Sequence, residues 1–444
     1  MKIVIAGAGE VGSHLAKLLS REEQDIMVLD KDRERLQYLD DNYNLMTHRG
    51  SPISFAAQIE SGVETCDLFI AVTPSETDNV VACAIARSLG AKRTVGRIDN
   101  YEYMSPAHIG FFRQTGINSL IYPEYLAAQE ILTALEHSWA RNWFELHDGE
   151  LILIGVKPDD NAPIINIQLK DFSRLSHDFH VSAIKRNHET IIPRGSDSIL
   201  PGDTLYLMTR RDHVDEVREL CGKEKHDIRR VLIMGGSRIA IRVATLADER
   251  YRITIMDNDR NHCRKLAEKC PECRIVNADG RDIDALREEG IDEMDAFIAL
   301  TGSSETNILS CITAKEFNVK KTIAEVEDIP FISVGEGLNI ATIINKKLIA
   351  SSKIFQLLLD TDVSNSKSLA LTDAEVAELE AKEGSKITKG PVKSLNLSHS
   401  MTIAGLIRDG RGMLVSGNTE IQPGDHVVVF CLYGSVHKIE KLFS

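Results

Sequence analysis

A repeat constrains this chain more than any other feature of its sequence. Residues 3–12 (IVIAGAGEVG) and 231–240 (VLIMGGSRIA) each run a short apolar stretch into a small-residue turn, 228 positions apart. Residues 67–79 and 295–307 keep that offset, with identities at Asp67/Asp295, Phe69/Phe297, Ile70/Ile298, Ala71/Ala299, Thr73/Thr301, Ser75/Ser303 and Asn79/Asn307. The register persists through Cys83/Cys311, Ala86/Ala314, Lys92/Lys320 and Thr94/Thr322. Such a match marks a tandem duplication, so fold and function are read per repeat. A second repeat follows each copy: residues 192–203 match 414–425, with Arg186/Arg408, Gly195/Gly417 and Pro201-Gly202-Asp203/Pro423-Gly424-Asp425 in register. Pro-Gly-Asp signals a turn: proline presets φ, glycine accepts positive φ, and aspartate bonds back to the backbone.

Residues 3–6, 25–29, 45–48, 68–72 and 94–98 read as strands, alternating with helical patterns, and Arg97 ends the last regular one. That alternation implies a parallel sheet with helices on both faces. Residues 123–138 read as one helix with Pro123 in its first turn, and its counterpart lies near 344–359. The segments after these helices carry shorter strand-like runs, at 151–156 and 205–208, between turn signals. A polar, acidic stretch over 361–385 is expected to form a long, mobile joint, with a short helix at 373–382.

The chemistry sits in the first small-residue turn. Gly7-x-Gly9-x-x-Gly12 follows a strand and opens a helix, and Asp30 ends the next strand. That whole context is the dinucleotide-binding fingerprint. Gly7 permits the turn, Gly9 lets backbone N–H groups approach a pyrophosphate, and Gly12 lets the helix lie close to the sheet. The helix N-terminus favours anions, and Asp30 is placed to accept the ribose hydroxyls while repelling a 2′-phosphate. NAD(H) or an adenine nucleotide is therefore expected. The second copy is altered: Gly235 keeps the turn, but Ser237 replaces Gly9 and Ala240 replaces Gly12, while Asp257 retains the acid. Gly236, Arg238 and Ile239 complete that turn. It either still binds a nucleotide, more weakly or of another kind, or serves structure only. Further candidates sit at strand C-terminal ends: Lys31, Gly50 and Ser51, then Thr73, Ser75 and Asn79 with Thr301 as the repeat of Thr73. The last group reads equally well as helix capping.

The expected fold class is α/β: two Rossmann-like parallel-sheet domains, each followed by a small α+β module, in the order N1–C1–N2–C2. Expected boundaries are 1–122, a linking helix at 123–141, 142–222, then 228–343, a linking helix at 344–362, and 363–444.

A formal charge of −14, from 52 basic and 66 acidic residues, argues against a nucleic-acid partner and against adhesion to an anionic bilayer. The N-terminus runs a short strand into a glycine turn rather than a signal peptide, so a cytoplasmic protein with reduced cysteines is expected. Cys270 and Cys273 have half-site spacing, but without a second ligand pair they read as a turn before the strand at 274–276, and no metal is expected.

The fingerprint at 7–30, the 67–79 segment and the paired Pro-Gly-Asp hairpins resemble the TrkA family, cytosolic regulatory subunits of bacterial Trk potassium-uptake systems built from RCK or KTN modules. The resemblance covers essentially the whole chain, including the N–C–N–C order. It implies N-modules that bind NAD(H) or ATP/ADP. It also implies a homo-oligomeric, tetrameric ring beneath an integral-membrane TrkH-type channel subunit, and so a site peripheral to the inner face of the cell membrane. Carried over, the ligand turn lies on Gly7, Ala8, Gly9, Glu10, Val11 and Gly12, with Asp30 at the ribose. Ser51 departs from the acid or amide common after the Gly50-type glycine, whereas Asp279 keeps it in the second half.

An oxidoreductase would use the same fingerprint, yet needs a general acid or base beside the nicotinamide. No Lys/His/Glu or Tyr/Lys constellation accompanies the fingerprint, and duplicated small modules suit a regulator better than a substrate domain. A nucleotide-sensing scaffold with another partner is the third expectation. The helices at 123–138 and 344–359 are the expected coupling elements, each joining an N-module to its C-module.

Overall fold

Short β-branched runs, buried on both faces, build two parallel sheets of the same order. The computed structural model describes residues 1–20, 24–174, 178–187, 189–338, 340–359, 363–369, 374–432 and 442–443. The chain divides into two compact units: Met1–Leu126 with Lys346–Thr361, and Ala127–Asn345 with Asp362–Ser444.

The first repeat opens with β1 (Lys2–Ala6), α1 (Glu10–Leu19), β2 (Asp25–Asp30), α2 (Arg33–Asn42), β3 (Met46–Arg49) and α3 (Phe55–Glu60). It continues with β4 (Leu68–Ala71), α4 (Glu76–Leu89), β5 (Arg93–Arg97), α5 (Pro106–Gln114), β6 (Ser119–Ile121) and α6 (Pro123–Glu136). The small module that follows has β7 (Asn142–Leu146), β8 (Leu151–Val156), β9 (Phe179–Arg186), β10 (Glu189–Ile191), β11 (Thr204–Thr209) and α7 (Val214–Leu220).

The second repeat has β12 (Arg230–Met234), α8 (Arg238–Leu246), β13 (Arg252–Asp257), α9 (Arg260–Lys269), β14 (Arg274–Asn277) and α10 (Ile283–Glu288). Then come β15 (Ala296–Ala299), α11 (Ser304–Glu316), β16 (Lys321–Glu325), α12 (Ile329–Gly337), β17 (Thr342–Ile344) and α13 (Lys346–Leu359). Its small module has β18 (Val363–Leu369), β19 (Ala374–Glu380), β20 (Met401–Arg408), β21 (Arg411–Leu414) and β22 (His426–Leu432).

Both large sheets are parallel, ordered β3-β2-β1-β4-β5-β6 and β14-β13-β12-β15-β16-β17. The strand order reverses beside β1 and β12, which opens a crevice at their C-terminal ends. Alternate residues of β1 enter different cores. Ile3 and Ile5 pack with Leu15 and Leu39, while Val4 and Ala6 pack with Phe69, Ala82 and Phe112. The expected α/β architecture with two Rossmann-like sheets is thus the observed one. Among the described residues, no helix is long and apolar enough to cross a membrane.

The two small sheets are antiparallel and share one order, β10-β9-β11-β8-β7 and β21-β20-β22-β19-β18. They pack on a common core in which Leu151, Leu153, Tyr206 and Met208 meet Val376, Ile407, Val428 and Phe430. Gly412 is required there: a Cβ would come within 2.5 Å of the Glu150 carbonyl oxygen. Each Pro-Gly-Asp turn closes on its own module. Asp203 takes a two-pronged bond from Arg186 at 2.8 and 2.7 Å, and Asp425 takes the same from Arg408 at the same distances. The sequence repeat marked both arginines and both aspartates; the fold makes them partners.

Three expectations change. The helix at 373–382 is instead strand β19, paired along its length with β22, from Ala374↔Leu432 to Glu380↔His426. Ala, Glu and Leu there favour a helix locally, but burial of six of the seven residues against the sheet overrides that preference. Within the joint expected over 361–385, β18 and β19 pair as antiparallel strands; residues 361–362 and 370–373 lie outside the described residues. β5 is not the last strand, because β6 pairs beside it; three residues carry too little periodicity to be read. Finally, α13 does not simply join the second sheet to the module after it, since it lies in the first unit and packs on α1 through Ala350 and Ile354.

Equivalent cations pin two chain segments. Arg93, opening β5, donates to the Leu357 carbonyl oxygen of α13 at 2.9 Å, and Lys321, opening β16, donates to the Ala140 carbonyl oxygen at 2.7 Å. Lys321 is fully buried. Burial, then the nearby Arg141 charge, pushes its ammonium down to about 7. A lysine in the unfolded chain stays protonated to about pH 10.4. The unfolded state therefore binds more protons than the folded state between pH 7 and 10, and this group makes stability rise with pH across that window. Lys321→Met removes the effect. In parallel melts, the variant's melting temperature relative to wild type is expected to be highest at or below pH 7 and to fall steadily towards pH 10; a constant difference would contradict it.

Candidate functional site

The turn after β1 is built by one carboxylate. Asp30, at the end of β2, accepts the Ala8 N–H at 2.5 Å through one oxygen and the Asp32 N–H at 2.8 Å through the other. Gly7 donates to the Leu29 carbonyl oxygen at 2.9 Å and sits at φ +117°, where a side chain is strained. Asp32 then caps α2 by accepting the N–H groups of Glu34 and Arg35. Asp30 thus shapes the turn as well as standing where a ribose would be read.

The three fingerprint glycines have different local reasons. A Cβ on Gly12 would fall 1.8 Å from the Gly7 carbonyl oxygen, so Gly12 fixes how closely α1 approaches the turn. A Cβ on Gly9 would meet only the Arg35 guanidinium, at 3.8 Å, and its φ of −72° suits any residue. Gly9 is also the N-cap of α1 and offers no side-chain cap. Nothing in the fold requires glycine at position 9. Close approach of a ligand to the backbone would require it. Val11 and Gly12 are buried in the first turn of α1, while Glu10 is exposed and its carboxylate lies 2.9 Å from the Lys347 ammonium of α13.

Other candidates are engaged in holding the site. Asn79 is fully buried: its oxygen accepts from the Thr73 N–H and hydroxyl at 2.9 and 2.7 Å, and its amide donates to the Thr73 and Arg97 carbonyl oxygens, both at 3.0 Å. Asn307 repeats this latch on Thr301 and Glu325. These bonds use all four polar positions of each amide, which accounts for the repetition of the Thr–Asn pair. Ser75 and Ser303 cap α4 and α11. Gly50 packs, since a Cβ would lie 2.6 Å from that of Ala57; Ser51 is partly buried beside it, and Lys31 is exposed. Asp279 is gripped by the Arg281 guanidinium at 2.7 Å, which holds its carboxyl down at about 2.

The second turn keeps the frame and changes its contents. Asp257 accepts the N–H groups of Gly236 and Asp259, both at 2.9 Å, as Asp30 does in the first copy. His262 Nδ1 also lies 3.2 Å from the Asp257 carboxylate, at the position that Arg35 occupies in the first copy. A Cβ on Gly236 would fall 2.3 Å from the end of the Leu266 side chain, which would have to move. The Ser237 hydroxyl accepts the Ala240 N–H at 3.3 Å, capping α8 from within the chain. Ile239 and Ala240 are buried, and Arg238 is exposed. One feature was absent from the sequence reading, the His262–Asp257 contact, although its five-residue spacing from a strand end to the first turn of a helix was visible.

Family models of the TrkA-N domain match residues 3–123 and 231–346, and those of the TrkA-C domain match 153–222 and 376–444. The chain belongs to the TrkA family. The Trk system potassium uptake protein TrkA of Azorhizobium caulinodans is 29% identical over 454 residues, covering 100% of this chain and 98% of its own length. That of Haemophilus influenzae is 29% identical over 452 residues, covering 100% and 99%. In fold, the chain is similar to the GsuK RCK domain, with a TM-score of 0.61 at 15% identity and coverage of 100% and 94%. It is equally similar to the GsuK channel bound to NAD, with a TM-score of 0.61 at 14% identity and coverage of 100% and 78%.

The glycine geometry separates packing from binding. Gly12→Ala is expected to cost about 3 kcal/mol or more through overpacking. Gly9→Ser, which supplies the cap that Ser237 already gives α8, should leave stability unchanged or slightly raised. Urea denaturation of both variants checks the contrast, and equal losses would contradict it.

Proposed function

We propose that this chain is the nucleotide-sensing regulatory subunit of a potassium-uptake system. In this reading it acts on the cytoplasmic face of the membrane, beneath an integral-membrane channel subunit of the TrkH type. Its first fingerprint binds NAD(H) or ATP/ADP, and it assembles as a ring of four chains. Gly9 carries the nucleotide reading, because ligand approach is the requirement that explains a glycine there. Family membership and full-length similarity to Trk system proteins support the role in potassium transport. The NAD-bound GsuK channel and an ADP-bound GsuK structure of the same fold support the ligand class.

The first site is the working one in this reading. In the second, Ser237 satisfies its own helix and His262 engages the carboxylate at the ribose position, so the two fingerprints together hold one nucleotide per chain. Ring assembly is supported by an exposed apolar surface in the same place on each repeat. Val81 of α4 and Phe111 of α5 are 41% and 60% exposed, and Leu309 of α11 and Val334 of α12, at the same places in the other copy, are 64% and 47% exposed. Paired surfaces of this kind suit contact between copies of a protein.

Coupling runs from the phosphate turn through Glu10 and Lys347 to α13. A ligand shifts an equilibrium only by what it gains in one state over the other. Taking a gate from 1:99 to 99:1 needs roughly 5.5 kcal/mol. Divided among four chains, about a tenfold preference at each first site is enough, within reach of a single rearranged ion pair.

Calorimetric titration with NADH, NAD⁺, ATP and ADP tests the proposal. With NADH or NAD⁺ we expect about one site per chain, abolished by Gly9→Arg and weakened tenfold or more by Asp30→Asn, since charge-assisted bonds contribute about 1.5–3 kcal/mol. Two dinucleotide sites per chain, or full dinucleotide stoichiometry in Gly9→Arg, would move the principal site to the second fingerprint. No binding by any of the four would refute the nucleotide-sensing role.

A further inference from the structure

The second unit contains a cavity of about 540 Å³ that neither fingerprint touches. Its walls come from the chain after α6, the end of β8, the segment after α7, and the α11–β16 junction. Five basic residues converge on it: Arg141, Lys157, Lys223, Lys315 and Lys320. Asp159, Asp160 and Glu224 also line it, with Asp159 paired to Lys223 and the other two exposed. A net positive cavity is out of character for a chain of formal charge −14.

We propose that this cavity is a second ligand site, taking a soluble oligophosphate of the size of a nucleoside di- or triphosphate. Its volume falls within the range of small-molecule sites. Several converging cations match a chain of phosphates better than a single carboxylate, and an arginine offers a planar fork for two phosphate oxygens. Trp139 lines the same cavity and presents an aromatic surface for a base.

The electrostatics agree. Burial, then the Arg141 charge, holds Lys157 below its ordinary value, with Lys223 adding to the effect and Asp160 opposing it. Lys315 is lowered by burial, then by Arg141 and Lys157. These cations repel one another at close quarters, and a bound polyanion would relieve that repulsion. Two of its cations are replaced or otherwise engaged in the other copy. Strand pairing sets Val156 opposite Leu205 in the first small module and Leu379 opposite Val427 in the second, so Glu380 stands where Lys157 does. In the large domains, Arg87 stands where Lys315 does, and it donates to the carbonyl oxygens of its own loop at Ala91 and Lys92.

The chain carries its own reporter. Its only two tryptophans are Trp139 and Trp143, with ring centroids 6.5 Å apart, so tryptophan emission reads this cavity and not the fingerprints. Full-length protein would be titrated with sodium tripolyphosphate and with ATP, followed by emission and equilibrium dialysis. Expected is a saturable response of one equivalent per chain, retained in Gly9→Arg, with the half-saturation concentration raised tenfold or more in Lys157→Glu and in Lys315→Glu. Should either variant fail to fold by circular dichroism, Lys320→Glu, at an exposed position, gives the same reading. Dialysis showing no uptake of either probe in Gly9→Arg would overturn the proposal, as would uptake unaffected by the charge reversals. Charge-sensitive binding to phosphatidylglycerol vesicles with no uptake of tripolyphosphate would assign the cavity to a lipid headgroup and overturn the soluble ligand.

Discussion

One carboxylate at the end of the second strand organises each nucleotide-type turn, and the geometry of the crevice depends on it. Asp30 bonds the turn after β1 with one oxygen and the start of α2 with the other, and Asp257 does the same after β12. A group that ties two loops together can place a ligand only because the loops are already fixed around it. Its charge also explains why it is aspartate: two N–H donors meet one anion, and charge-assisted bonds of this kind are about twice as strong as neutral ones. Pre-positioning of this sort removes ordering costs that a ligand would otherwise meet on binding.

Duplication preserved that frame and let its contents diverge. Position 9 is glycine in one copy, and the equivalent serine caps its own helix in the other. Position 35 is an arginine near the open turn, while His262 leans on the acid itself. Latches survive unchanged: Asn79 and Asn307 make the same four bonds, and Arg186 and Arg408 grip their aspartates at the same distances. Groups that hold the scaffold repeat faithfully, and groups that face the crevice do not. That division is what a fold with one sensing copy and one supporting copy would show.

The parallel sheets were legible because their strands are apolar, regularly spaced and written twice. The Gly7–Asp30 fingerprint was legible because each residue answers a local steric or electrostatic demand. What stayed hidden was tertiary. β19 reads AEVAELE, a helix-forming string that becomes a strand only because β22 lies beside it and both its faces are buried. The place of α13 in the first unit follows from Ala350 and Ile354 meeting the α1 core, a pairing that no short-range pattern encodes. Thr73 and Asn79 were marked as candidates by their place at a strand C-terminal end and by their repetition, and neither signal shows the latch that the four bonds of the amide make.

Placement of α13 also bears on how a signal could leave the first turn. Glu10 is the first residue of α1, one position past the N-cap where a phosphate would sit, and its partner Lys347 is one-tenth exposed on a helix packed along α1. An anion arriving at this helix N-terminus competes with Glu10 for the same positive potential. Glu10 is two-thirds exposed and Lys347 one-tenth, so a bound anion would leave two anions sharing one cation. In chain order α13 is the element before β18 of the second small module. Arg93 grips the Leu357 carbonyl oxygen near the other end of α13. With both ends of α13 tied to the first unit, a change at Lys347 would be borne by the whole helix rather than absorbed by fraying.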